Sequence, residues 1–184
     1  MTDQQELSTI VAIIQGGGII AAPTDTLWGL LGLALKPETV ARLYHIRGRD
    51  RTKPFIILIS SLADLSQFNI ELSPAQKDKL TLWWPGPISV ILGETAFRLP
   101  ARPWLQELLR QTGPLVAPSA NLAGETPAKT RAEAEDIFGK KIDYYYAPSN
   151  NPAATNFPST LVRLNSGGTY QVLRSGAGNT RLLA

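Results

Sequence analysis

Leu115-Val116-Ala117-Pro118-Ser119-Ala120-Asn121-Leu122-Ala123-Gly124 decides how this chain is read. Leu115, Val116 and Ala117 form the short apolar run of a buried strand, and Pro118 ends its ladder because it has no N–H to donate. Ser119 and Asn121 then fall on the loop beyond the strand, and α/β sheets hold their ligands outside strand ends. Taken alone, Ser-Ala-Asn is also an ordinary turn, because both polar side chains bond readily to nearby backbone. The rest of the chain has to decide between a turn and a site.

Working back from that stretch, Gly113-Pro114 closes a helix that begins at Pro103 and runs to Gln111. Phe97-Arg98-Leu99-Pro100 reads as a short strand presenting one arginine, and Ile88-Ser89-Val90-Ile91-Leu92 as the strand before it. Between Ser73-Pro74 and Trp83 the pattern is helical, and Trp83-Trp84-Pro85-Gly86-Pro87 ends it in a rigid aromatic turn, whose two tryptophans read first as packing groups and otherwise as a platform for stacking on bases. Ser60–Phe68 suggests a short helix after the apolar strand Phe55–Ile59. Nearer the N-terminus, Asp3 and Glu6 resemble a capping box ahead of Leu7, Ile10, Val11 and Ile14, so a helix is expected over Asp3–Gln15. Gly16-Gly17-Gly18 stops that helix before the strand Ile19–Ala22; it lacks the spacing of a nucleotide-binding glycine loop. A second helix is expected from Pro37 through Tyr44, breaking at Gly48. Downstream come a helix over Arg131–Phe138, a strand over Ile142–Tyr146, a polar loop over Ala147–Phe157, and strands over Leu161–Leu164 and Thr169–Leu173. Helices alternating with short strands imply an α/β fold, and 184 residues without a linker or internal repeat imply one domain over residues 1–184.

Composition removes several kinds of chemistry. The chain has no cysteine, which excludes disulfides and thiolate catalysis, and one histidine, which excludes a multi-histidine metal site. His45 sits among Leu43, Tyr44 and Ile46 on a helix and reads as structural. With 18 basic against 15 acidic residues the net charge is only +3, which fits a basic pocket for an anion or contact with nucleic acid and selects neither. No apolar run has the length of a membrane span and the N-terminus is polar, so the expected location is the cytoplasm.

The loops, by contrast, carry a coherent set of groups. Pro23-Thr24-Asp25-Thr26 brings two hydroxyls and a carboxylate to the end of the first strand, where the same residues would also serve to cap a helix. Arg47-Gly48-Arg49-Asp50-Arg51-Thr52-Lys53 places four cations in seven residues beside a strand, held in shape by glycine and proline. Add Arg98, Ser119, Asn121, Ser159, Thr160 and Arg174, and the set holds anions well but has no nucleophile with a base. It suits phosphoryl or nucleotidyl transfer, in which catalysis is mostly alignment and charge neutralisation, with a metal brought in on the phosphates.

Six motifs in this order, Pro-Thr-Asp-Thr-Leu-Trp-Gly (23–29), Arg-Gly-Arg (47–49) with Lys53-Pro54-Phe55, Trp-Pro-Gly-Pro (84–87), Phe-Arg-Leu-Pro (97–100), Ala-Pro-Ser-Ala-Asn (117–121) and Pro-Ser-Thr (158–160), resemble the YrdC/TsaC family of threonylcarbamoyl-adenylate synthases. The similarity covers residues 7 to 177 and looks like the short, single-domain family form. The resemblance implies a twisted, open, mixed β-sheet flanked by helices, with a concave basic face. It implies synthesis of L-threonylcarbamoyl-AMP and diphosphate from L-threonine, bicarbonate and ATP, with Mg2+ accompanying ATP and with partner proteins that pass the threonylcarbamoyl group to tRNA. By position it implies that Thr24, Thr26, Arg98 and Ser159 lie at the threonine end, with Arg98 pairing the carboxylate. Arg47, Arg49 and Lys53 are then the catalytic cations on the ATP phosphates, and Ser119, Asn121 and Arg174 complete the nucleotide side. Two departures stand out: Arg47 occupies a position where the family more often has Lys, and Trp28 one where Tyr or Phe is usual. Arginine keeps the charge but presents a planar fork in place of a compact ammonium.

Other readings of the same residues are a module that binds tRNA or double-stranded RNA, or serves ribosome maturation, through the basic face, and a carbamoyl-adenylate module of hydrogenase-maturation carbamoyltransferases. The chain has no zinc-finger or acylphosphatase segments to favour the latter.

Overall fold

The computed structural model describes residues 3–148, 155 and 157–178. In chain order the elements are α1 (Asp3–Gln15), β1 (Ile20–Pro23), β2 (Trp28–Leu33), α2 (Pro37–Arg47), β3 (Ile57–Leu58), a 3-10 helix (Leu62–Phe68), α3 (Pro74–Trp83), β4 (Ile88–Leu92), β5 (Thr95–Arg98), α4 (Pro103–Thr112), β6 (Leu115–Val116), α5 (Arg131–Phe138), a 3-10 turn (Gly139–Lys141), β7 (Tyr144–Tyr145), β8 (Thr160–Leu164) and β9 (Tyr170–Arg174). The strands form one mixed sheet in the order β7-β1-β2-β6-β3-β5-β4-β8-β9.

Alternation along the strands divides the core into two layers, because successive side chains in a strand point to opposite faces. Ile19, Ala21, Leu30, Ile57, Ile59, Phe97, Val90, Val116, Val162 and Leu164 face one way and pack with Leu43 and Ile46 of α2, Leu80 and Trp83 of α3, and Phe138 of α5. Their neighbours Ile20, Ala22, Leu31, Leu58 and Leu115 face the other way, under Leu7, Ile10 and Ile14 of α1 and Leu105, Leu108 and Leu109 of α4. On that second face α1 and α4 cluster with β1, β2, β3 and β6. Strands β4, β5 and β8 turn Ile91, Ala96, Arg98 and Leu161 toward a cavity instead. Half of the second face is therefore core, and the other half is the floor of a site.

Local chemistry explains the element ends. α3 starts on a reciprocal capping box, in which Ser73 Oγ accepts from Gln76 N–H and Gln76 Oε1 accepts from Ser73 N–H. α2 ends at Gly48, whose left-handed backbone (φ 59°) suits glycine and turns the chain into the basic loop. The paired tryptophans are packing groups: Trp83 and Trp84 are both buried, and Trp84 donates its indole N–H to the Ile88 carbonyl at 2.7 Å.

Three expectations are revised. Thr24-Asp25-Thr26 caps no helix; it turns the hairpin between β1 and β2, in the register Pro23↔Trp28 and Ile20↔Leu31. Strand β2 is itself a new element, because the run Trp28-Gly29-Leu30-Leu31-Gly32-Leu33 is buried on both faces and so lacks the alternation that marks a half-buried strand. His45 is exposed near the end of α2 and does not pack inward. The polar loop expected over Ala147–Phe157 lies mostly outside the described residues. Among the described residues no helix is long and apolar enough to cross a membrane.

Candidate functional site

A cavity of about 420 Å³ opens on the bare part of the sheet. Its walls include Thr24, Thr26, Arg47, Arg49, Lys53, Arg98, Ser119, Ser159 and Arg174, which come from six separate loops or element ends. Ile56, Ile91, Ala96, Ala117 and Leu161 make its floor apolar.

At one end the β1–β2 turn meets β5. Thr24 Oγ1 lies 3.1 Å from Thr26 Oγ1 and donates to the Leu27 carbonyl at 2.8 Å. Arg98 donates from Nη1 to Thr26 Oγ1 at 2.7 Å and from Nη2 to Thr24 Oγ1 at 3.4 Å. Behind them Asp25 Oδ1 forms an ion pair with Arg98 Nη2 at 3.2 Å, with side chains only 10% and 5% exposed. Burial pushes the Arg98 guanidinium below the usual arginine range and nearby Arg174 adds to this, while Asp25 opposes it. β8 completes this end: the Ser159 and Ser89 hydroxyls are 2.7 Å apart, and Arg174 Nη2 donates to the Ser159 carbonyl at 2.9 Å.

The Ser-Ala-Asn turn forms the opposite wall. Pro118 and Ala120 stitch it to β2, since Leu30 N–H donates to the Pro118 carbonyl and Ala120 N–H to the Trp28 carbonyl, both at 2.8 Å. Arg47, the last residue of α2, is 2% exposed. It donates from Nε to the Asn121 carbonyl at 2.9 Å, and from Nη2 to Asn121 Oδ1 at 3.0 Å and to Ser119 Oγ at 3.3 Å. Burial, with repulsion from Arg49, brings its pKa down to about 10. Asn121 spends its amide N–H groups on the carbonyls of Leu122 and Glu125. It therefore lies behind the wall, holding Arg47, whereas Ser119 reaches the cavity.

Beyond Gly48 the basic loop supplies the more accessible cations. Arg49 donates to the Lys53 carbonyl at 3.3 Å and stands 5.6 Å from the Phe55 ring, which stacks on Tyr44. Arg174 lies close enough to Arg49 that repulsion adds to burial in pulling its pKa down. Among the described residues Arg47, Arg49, Lys53 and Arg174 have no carboxylate partner, and Arg98 alone of the cavity cations has one.

The cavity therefore brings together every residue to which the family resemblance assigns a ligand except Asn121, and of the wider loop set Thr160 also lies outside it, fully buried with its hydroxyl donating to the Gly178 carbonyl at 3.0 Å. Sequence reasoning did not select Trp28, Thr52, Phe55 and Glu94, which also line it. Thr52 lies within the basic run and Phe55 two residues beyond it, so the motif itself pointed at them; Glu94 sits in the β4–β5 turn, and nothing in its sequence neighbourhood marks it. No group of three or more metal-ligating side chains occurs among the described residues. Such a site can align an anion and offset its charge, and it has hydroxyls and an apolar floor for a small organic ligand.

The family model of the Sua5/YciO/YrdC proteins, described as "Telomere recombination", matches residues 12–176. The threonylcarbamoyl-AMP synthase of Xanthomonas euvesicatoria is 36% identical over 160 residues, covering 78% of this chain and 86% of that protein. That of Nitrosococcus oceani is 30% identical over 177 residues, covering 88% and 93%. Among solved structures, P. abyssi Sua5 complexed with L-threonine superposes with a TM-score of 0.82 at 25% identity, over 95% of this chain and 55% of that one. This chain thus spans about half the length of that Sua5.

Proposed function

The chain belongs to the Sua5/YciO/YrdC family, and from that premise we propose that it is a threonylcarbamoyl-AMP synthase, a nucleotidyltransferase that joins L-threonine, bicarbonate and ATP. The observation that carries this reading is the division of one cavity into a side where Arg49, Lys53 and Arg174 form no ion pair among the described residues and a hydroxyl-lined end built around the Arg98–Asp25 pair. A triphosphate needs the first and a small hydroxy amino acid suits the second.

Arg49, Lys53 and Arg174 hold the ATP phosphates, and Ser119 contacts the nucleotide. Arg47 and Asn121 support them from behind, because their polar groups are largely spent on each other. Arg98 pairs the threonine carboxylate, and Thr24, Thr26 and Ser159 surround the amino acid. The neutral threonine amine bonds to the carbon of CO2 derived from bicarbonate, with loss of water, and gives a carbamate. A carbamate oxygen then bonds to the α-phosphorus, the bond from that phosphorus to the β-phosphate bridge breaks, and diphosphate leaves. The side chains align the reactants and neutralise the leaving charge, so no protein nucleophile is needed.

Magnesium belongs to this proposal as a companion of the phosphates, where it supplies further neutralisation of the leaving diphosphate. The donor set fits that role better than a protein cage: cavity-lining Glu94 is the acidic side chain available, and hard divalent cations keep water and phosphate oxygens as ligands. Transfer onward to tRNA, by partner proteins in the cytoplasm, is part of the same proposal.

The test is diphosphate release from ATP in the presence of L-threonine, bicarbonate and Mg2+. The reading requires release that depends on threonine. Tight binding of double-stranded RNA without diphosphate release refutes it in favour of an RNA-binding module.

A further inference from the structure

Every cation on the cavity wall is an attractive seat for phosphate, so a site that takes both a polyphosphate and an amino acid must keep the first out of the place of the second. Arg98 differs from the other cavity cations in one respect: among the described residues it alone forms an ion pair with a carboxylate. We propose that Asp25 is the specificity-determining residue that reserves the Arg98 end of the cavity for a zwitterionic amino acid and excludes phosphate from it. This inference rests on the two-substrate reading above.

The geometry supports it in three ways. Asp25 does not line the cavity, so it acts through Arg98 and not on the ligand. The pair is left incomplete: Asp25 Oδ1 and Arg98 Nε are buried and have no hydrogen-bond partner, and of its N–H groups Arg98 commits only one to Thr26 and one, at 3.4 Å, to Thr24. Buried polar groups without partners are uncommon and costly, and a ligand carboxylate that accepts from Arg98, which lines the cavity, offsets part of that cost on the Arg98 side. Finally, the balanced pair presents little net charge, whereas Arg49 and Arg174 stand close enough to repel each other and neither forms an ion pair among the described residues. A zwitterion brings its own cation with its carboxylate and needs no net attraction, while diphosphate or tripolyphosphate does. The cations outside an ion pair therefore draw the phosphates and the balanced one does not.

Asp25→Asn keeps the shape and removes the charge. An uncompensated cation about 4 Å from a bound anion is worth at least roughly a fivefold gain in anion affinity, the value for the dielectric of bulk water. In the variant, inorganic tripolyphosphate should bind about fivefold more tightly or fill a second site, and it should compete with L-threonine. In the wild-type protein the two should bind together, with the threonine Kd changing less than twofold at saturating tripolyphosphate. Both are read by calorimetry without turnover, alongside the melting temperature. Competition between the two ligands in the wild type overturns the proposal, and so does an Asp25→Asn variant whose tripolyphosphate binding is unchanged. If Asp25→Asn does not fold, Asp25→Glu replaces it and should retain wild-type exclusion, with new competition again counting against the proposal. Should the wild type bind no threonine, the synthase reading fails separately, and the tripolyphosphate titration of wild type against variant still decides whether Asp25 excludes phosphate.

Discussion

Replacing Arg47 with alanine should damage the fold as well as the activity, although in sequence it looks like one more cation of a basic loop. Its guanidinium makes two short hydrogen bonds to Asn121, at 2.9 and 3.0 Å, and a longer one to Ser119 at 3.3 Å. Hydrogen bonds from a charged donor contribute about 1.5–3 kcal/mol each. Against that stands the cost of burial, which brings the Arg47 pKa to about 10. Removing the side chain also leaves the Asn121 carbonyl short of a donor, though Asn121 Oδ1 keeps the Ser119 hydroxyl at 2.6 Å. The balance is a loss of roughly 2–4 kcal/mol, which for a chain of this size lowers the melting temperature by about 5–15 °C. Arg47→Lys keeps the charge but cannot bond with the same fork and should fall in between. Arg49→Ala is the control. Among the described residues its side chain makes one long hydrogen bond, to the Lys53 carbonyl at 3.3 Å, beside its approach to the Phe55 ring, so melting should move by no more than about 2 °C while ATP binds roughly tenfold more weakly. Thermal unfolding followed by tryptophan fluorescence, with ATP binding by calorimetry, reads both. An Arg47→Ala protein that melts within 2 °C of wild type refutes the clamp, and an Arg49→Ala protein that loses stability and ATP binding in parallel refutes the division of labour.

Gly176→Ala should cost about 1–3 kcal/mol and weaken threonine binding together, because a Cβ there would stand 2.1 Å from the Pro158 carbonyl oxygen and press on the backbone of Ser159; an unchanged melting curve is the contrary result. Asp143 accepts hydrogen bonds from Arg42 and from Ile19 N–H at 2.6 and 2.7 Å. Burial alone would raise its pKa, but these bonds outweigh it and hold the carboxyl below its ordinary value. A depressed carboxyl contributes stability above its unfolded pKa that is lost as pH falls through the folded one. Asp143→Asn should therefore lower stability at neutral pH and flatten its decline below about pH 4, as followed by urea unfolding across that range.

Some of this was legible in the residues because it is local. α1, α3 and α5 follow from apolar spacing and capping, and α5 spans Arg131–Phe138 as its pattern predicts. The split within Phe97-Arg98 is local too: one residue of the pair must face the core and the next must face away. β2 was hidden for the opposite reason, since a strand buried on both faces has no polar side to reveal its period.

Sequence by itself determined the kinds of group available: hydroxyls, guanidiniums and an amide on loops, with no thiol and a single imidazole. Tertiary structure decided which of them face the cavity. Arg47 and Arg49 are two residues apart and both stand within 6 Å of the Phe55 ring, yet the left-handed turn at Gly48 leaves one buried and bonded to Asn121 and the other half-buried with a single long hydrogen bond to the Lys53 carbonyl among the described residues. Asp25 and Arg98 are distant in the chain, and only the curl of the β1–β2 hairpin toward β5 makes them a pair. Residue type fixes what a side chain can bond to, but burial and neighbouring charge fix whether those bonds go to the protein or remain for a ligand.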